Sequence, residues 1–147
     1  MDSRDVFIVF LFVIVLLLVG VLIWYFGCRE WFGEETDKDP MLMELQALLI
    51  QVHPKAEHIN LRKAGKSYTV NKSDMYLCLR DEAGEYFNKN MLIYVGIHEL
   101  AHVVCKSIGH TEEFHAIFDE LLNEAIKKGI YNPSIPVVGD YQDRCRL

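Results

Sequence analysis

Two histidines four residues apart, with a glutamate after the first, stand in His98-Glu99-Leu100-Ala101-His102 at the start of the stretch HELAHVVCKSIGHTEEFH. In a helix, residues four apart share one face, so His98 and His102 can offer imidazole nitrogens to a single ion. Glu99 is then placed to act as general base toward a water beside that ion. A hydrolytic zinc site uses three protein ligands and keeps the fourth position for water, so a third ligand is required. His110 is the expected one: a break at Ser107 to Gly109 lets the chain reverse, and His110 stands at the entrance to the next helix. Two histidines and a glutamate on an otherwise apolar helix would be costly to bury without a metal or other partners.

His115 competes for the third position, as do Glu120 and Glu124 on the same following helix. The stretch Asn123-Glu124-Ala125-Ile126 resembles the segment in which thermolysin-type enzymes carry a glutamate ligand. Cys105 lies one turn beyond His102 and is expected to be packing, the usual fate of a buried helix cysteine. Tyr94, Tyr131 and Tyr141 are conceivable donors to a tetrahedral intermediate, although core or tail packing is the default for each. His53 and His58 read as surface or strand-edge residues.

These groups must be positioned by flanking elements. The spacing predicts a helix over 91–107 carrying the motif, and a second from Thr111 as N-cap to Lys128, with Phe114, Ile117, Phe118, Leu121, Leu122, Ala125 and Ile126 as its apolar stripe. Upstream, Asp39 and Pro40 open a helix to about Val52 with Leu42, Leu45, Leu49 and Val52 on one side. The short β-branched or aromatic runs EHINLR, SYTVN and MYLCLR predict three strands in a small antiparallel sheet. After Gly129 the two prolines and missing helical period predict an extended tail.

Residues 6–26 contain no charge and end in Trp24-Tyr25-Phe26. That length suits an uncleaved transmembrane helix better than a signal peptide, and interfacial aromatics fit a bilayer boundary. The organisation expected is therefore an anchor over 1–27, an acidic linker over 28–39, and a compact α+β domain over 40–147. Arg4 on one side is nearly balanced by Arg29 and Lys38 on the other, leaning toward a cytosolic C-terminal domain. Cys78, Cys105 and Cys145 show no CxxC spacing and cannot all pair with one another, which favours a reducing compartment. The formal charge is −6, and basic residues cluster only at Arg62 to Lys66 and at Lys127-Lys128, a poor footprint for nucleic acid.

The zinc-binding stretch resembles that of the SprT-like and WLM metallopeptidases, compact zincins in which HExxH is followed by a histidine in an H-[GST]-x-x-F setting. Here that setting is His110-Thr111-Glu112-Glu113-Phe114, and MYLCLRDEAGEYFNKNMLIYVGIHELAH is similar to their strand, loop and active-site helix. The likeness spans about Tyr68 to Tyr131 and extends to small membrane-anchored versions in large DNA viruses. It implies a zincin-like fold, one Zn2+ held by His98, His102 and His110, Glu99 as general base, and a protein or peptide substrate. The metzincin pattern is not met, because Cys105 and Ile108 occupy its glycine and histidine positions. The function expected is a membrane-anchored zinc metallopeptidase. Its rival is a catalytically inactive zinc-binding membrane protein that serves as an interaction module.

Overall fold

The computed structural model describes residues 2–31 and 39–146, which divide into two units, Met1–Thr36 and Asp37–Leu147. The first is the helix α1, Ser3–Trp31. Its portion Ser3–Trp24 is long and apolar enough to cross a membrane, and its side chains are exposed throughout. Helix continues through Cys28 to Trp31, where a linker was expected from residue 28; residues 32–38 of that linker lie outside the described residues.

The second unit is a mixed α+β domain. Helix α2, Pro40–Val52, starts where Asp39 accepts a hydrogen bond from the Met41 amide at 3.0 Å, with proline in the first turn, and buries Leu42, Leu45, Leu49 and Val52. A 3₁₀ turn at Pro54–His58 leads into β1, Asn60–Lys63. Strands β2, Tyr68–Val70, and β3, Asp74–Leu77, follow. The turn between them has positive φ at Asn71 (50°) and Lys72 (57°) and a Ser73 N–H to Val70 carbonyl bond of 3.1 Å, the twist-matched hairpin geometry.

The sheet has the order β1-β3-β2, and β1 runs parallel to β3 while β2 is antiparallel to it. This corrects the expected wholly antiparallel sheet. Met75 and Leu77 of β3 are fully buried and need the centre, whereas β2, with Tyr68 and Val70 exposed, suits an edge.

Helix α3, Lys89–Val104, runs through the middle of the domain and packs on α2, on β2 and β3, and on α4, Glu112–Lys127. Gly96 of α3 allows a close approach of α2: a Cβ there would lie 3.3 Å from Leu49 Cδ1. Helix α4 buries Phe114, Phe118, Leu121 and Ala125, part of the expected stripe. The tail departs from the extended expectation. It ends in a one-turn helix, α5, Tyr141–Arg144, which docks through Tyr141 and Cys145, both buried.

Cys145 is thereby joined to Cys78 in a disulfide with a Cα–Cα distance of 5.8 Å, while Cys105 is buried and free. The thiol argument for a reducing compartment fails on this pairing. The two cysteines are 67 residues apart and meet only because the tail returns to the sheet.

Candidate metal centre

Asn88 caps α3 through the Asn90 amide, at 2.9 Å, and from there the helix carries Glu99 inward while His98 and His102 remain half-buried. The helix ends at Val104, with Cys105 extended, so the reversal begins earlier than the sequence suggested. Gly109, at φ 82°, takes a left-handed conformation that a side chain would resist. Thr111 then caps α4 by accepting from the Phe114 amide at 3.3 Å.

This reversal sets His110 opposite the helix. His98, His102 and His110 place one ligand nitrogen each within 4.8 Å of one another. His98 Nε2 and His110 Nε2 are 3.0 Å apart. Nitrogens about 2.0–2.1 Å from a tetrahedral ion are separated by roughly 3.3 Å, so His98 and His110 are spaced as two ligands of one ion would be. Phe114, fully buried, forms its floor, with ring centroids 4.3 Å from His102, 4.7 Å from His110 and 5.0 Å from His98.

The competitors do not join this group. His115 is exposed, with its ring centroid 6.4 Å from that of His110. Glu120 is exposed, and Glu124 pairs with Lys128 at 3.1 Å. Cys105 Sγ is engaged by Ser107 Oγ at 3.1 Å. Tyr141 is tied to Ser67 and Cys78, and Tyr94 and Tyr131 pack against each other at 5.9 Å, with Tyr94 also edge-on to Phe118. His53 receives the Lys55 amide, and His58 is exposed.

Burial, reinforced by the neighbouring histidines, lowers the His98 pKa to about 4, and His102 is lowered by burial, then by His110 and Lys72. At neutral pH both rings are therefore uncharged, the form in which imidazole binds a metal. Glu99 is only 5% exposed, and burial raises its pKa to about 7 against the opposing hydrogen bond from Thr69. Thr69 Oγ1 lies 2.8 Å from Glu99 Oε2 and 3.2 Å from the Glu99 carbonyl. A carboxyl balanced near neutrality can accept a proton and return it.

Sequence reasoning missed Thr69 and Lys72. Lys72 Nζ donates to the carbonyls of His102 and Ser107, at 3.2 and 3.1 Å, and to that of Cys105. Glu113 meets the same turn from the other side, accepting from the amides of Lys106 and Ser107 at 3.3 and 3.1 Å. The Ser107 side chain first, and then these two amides, hold the Glu113 carboxyl below its usual range. A cation on the exposed carbonyls and an anion on the exposed amides thus fix the connection between the second and third histidines. No local signal marked either residue, because the positive φ of Lys72 and the partners of both side chains exist only in the folded chain.

Around these groups opens a cleft of about 550 Å³ whose lining includes Thr69, His98, Glu99, His102, His110 and Gln142.

No family model and no solved structure matches the chain. It is similar to three viral proteins. Uncharacterized protein 136R of Invertebrate iridescent virus 6 is 42% identical over 86 residues, 56% of this chain and 48% of the relative. Uncharacterized protein 042R of Invertebrate iridescent virus 3 is 48% identical over 77 residues, 52% of this chain and 48% of the relative. Uncharacterized protein R325 of Acanthamoeba polyphaga mimivirus is 43% identical over 83 residues, 55% of this chain and 42% of the relative. The chain spans about half the length of the curated relatives it matches.

Proposed function

We propose that the chain is a membrane-anchored zinc metallopeptidase with a zincin-like domain. The observation that carries this reading is the convergence of His98, His102 and His110 beside a buried Glu99 in an open cleft. A zinc ion held by the three imidazoles would lower the pKa of a water in its fourth position to about 7 and polarise a peptide carbonyl. Glu99 takes the proton from the attacking water and delivers it to the departing amine. Thr69 holds the carboxylate at the cleft while it is charged. Among the described residues the gathered donors are three histidines, with neither His115 nor Cys105 closing a fourth position; that favours catalysis over a purely structural zinc site.

The substrate class is protein or peptide, and nucleic acid is disfavoured by the charge of −6. The α1 segment from Val6 to Phe26 serves as the bilayer anchor. Its uncharged surface from Val6 to Trp24 is unsuited to water and long enough to cross a hydrocarbon core of about 30 Å.

The deciding experiment is metal content by mass spectrometry on the full chain in detergent micelles, beside His110→Ala. About one zinc per chain, lost or sharply weakened in the variant, is expected. Metal-free wild-type protein after zinc loading and desalting would overturn the reading.

A further inference from the structure

Part of the cleft lining, at Ser67 to Thr69, is fastened by residues near the C-terminus. Ser67, just before β2, donates its amide to Gln142 Oε1 at 3.0 Å, and Gln142 Nε2 donates to the Ser67 carbonyl at 2.9 Å. One side-chain amide therefore satisfies both main-chain groups of Ser67, as a neighbouring strand would. Beneath it the protons form a closed circuit. The Cys78 amide donates to Ser67 Oγ at 2.9 Å, Ser67 Oγ donates to Tyr141 Oη at 2.8 Å, and Tyr141 Oη donates to the Cys78 carbonyl.

The disulfide from Cys78 to Cys145 closes the other side of the same attachment. Helix α5 has only four residues and cannot persist on its own hydrogen bonds, so Gln142 is held in place by this cross-link, by the packing and hydrogen bonds of Tyr141, and by the Arg146 amide on the Arg80 carbonyl at 3.1 Å. Two residues beyond Ser67 is Thr69, the partner of Glu99. Gln142, Ser67, Thr69 and Glu99 all line the cleft.

We propose that Gln142 is a positioning residue for this wall, and that the Cys78–Cys145 disulfide keeps it seated, so that the cleft is fully formed only in the oxidised chain. Reduction by a dithiol breaks the S–S bond with two electrons and two protons, leaving thiols on Cys78 and Cys145 and a disulfide on the reductant. Both sulfurs are buried, so the reaction proceeds through local opening of the tail. Release of α5 frees the Ser67 main chain and loosens the strand that holds Thr69 against Glu99. The effect on peptide hydrolysis rests on the metallopeptidase reading; the seating of the wall does not.

The test is amide hydrogen exchange on the full chain in micelles, comparing the oxidised protein with a phosphine-reduced sample, with Cys78→Ala/Cys145→Ala and with Gln142→Ala. Exchange over residues 67–70 is expected to quicken about tenfold in all three, while α4 and the middle of α3 keep their protection. Unchanged exchange at 67–70 in Gln142→Ala would overturn the proposal, as would uniform acceleration through α3 and α4, which marks a general staple. With a cleaved peptide in hand, Gln142→Ala should raise KM about fivefold at nearly constant kcat, because a misplaced wall weakens binding. A fall in kcat at constant KM indicates a smaller folded fraction and counts against positioning. Local quickening in a protein that cleaves no peptide would uphold the seating of the wall and sink the peptidase reading alone.

Discussion

Glu99 is the residue on which the proposed chemistry turns, because it is the buried carboxyl that shares the cleft with the three histidines. Glu99→Gln should keep its zinc and lose about 10²- to 10⁴-fold in peptide hydrolysis, measured as kcat on a cleaved peptide. Wild-type rates in the variant would refute the general-base role. The same residue shapes the stability of the metal-free protein. With a folded pKa of about 7 above an ordinary 4.5, it holds more protons folded than unfolded between those values, so its contribution is present at low pH and is lost as pH rises to 7. His98, lowered to about 4 from 6.5, has the opposite sign: its contribution is present above 6.5 and is lost as pH falls toward 4. The two nearly cancel between pH 4.5 and 6.5. Metal-free Glu99→Gln should therefore gain stability on going from pH 4.5 to 6.5, and at pH 8 exceed wild type by up to about 3 kcal/mol in urea unfolding. Parallel pH profiles for the two proteins would show that Glu99 is not held near neutrality.

At the scale of elements, the site depends on how closely α2, α3 and the sheet pack. The Gly96 approach to Leu49 is one such close contact, and Leu49 is itself buried. Gly96→Val forces a branched side chain into that contact and should cost about 1–3 kcal/mol, seen as a lower thermal midpoint for the second unit. An unchanged midpoint would mean that α2 can shift freely. The connection from His102 to His110 draws on elements distant in sequence: Lys72 comes from the β2–β3 turn and Glu113 from the first turn of α4. Helix periodicity made α2, α3 and α4 legible, and the Asp39 and Thr111 caps were readable from residue type. The strands were readable as segments, but their order was not, because alternation says which face is buried and nothing about which strand lies beside it.

For the molecule as a whole, α1 is long and apolar enough to cross a membrane, and the proposed anchor role makes membrane association testable. The chain should sediment with membranes and resist alkaline carbonate extraction, and Leu16→Arg/Leu17→Arg, each costing about 2.5–3.5 kcal/mol at a helix centre, should release it. Extraction of the wild type by carbonate would instead favour a signal sequence. The disulfide bears on which side the domain faces. Positive charge leaned toward the cytosol, whereas a bonded Cys78 and Cys145 require oxidising conditions during folding.

The sequence by itself determined the local facts. These were the two histidines and the glutamate on one helix, the glycine break before His110, the capping residues, and an apolar stretch too long for a soluble loop. Each depends on residues within about one or two helical turns, where spacing alone dictates geometry. Tertiary structure decided the rest: the gathering of His110, rather than His115, Glu120 or Glu124, beside His98 and His102, the hold of Thr69 on Glu99, the Lys72 clamp, the mixed sheet, and the return of the tail to Ser67 and Cys78. The hold of Thr69 on Glu99, the Lys72 clamp and the return of the tail join residues 30 or more positions apart, and even His98 with His110 and β1 with β3 meet across 12 and 14. They form only when the buried faces of α2, α3, α4 and β3 find a common core. No local pattern records which surfaces that core brings together.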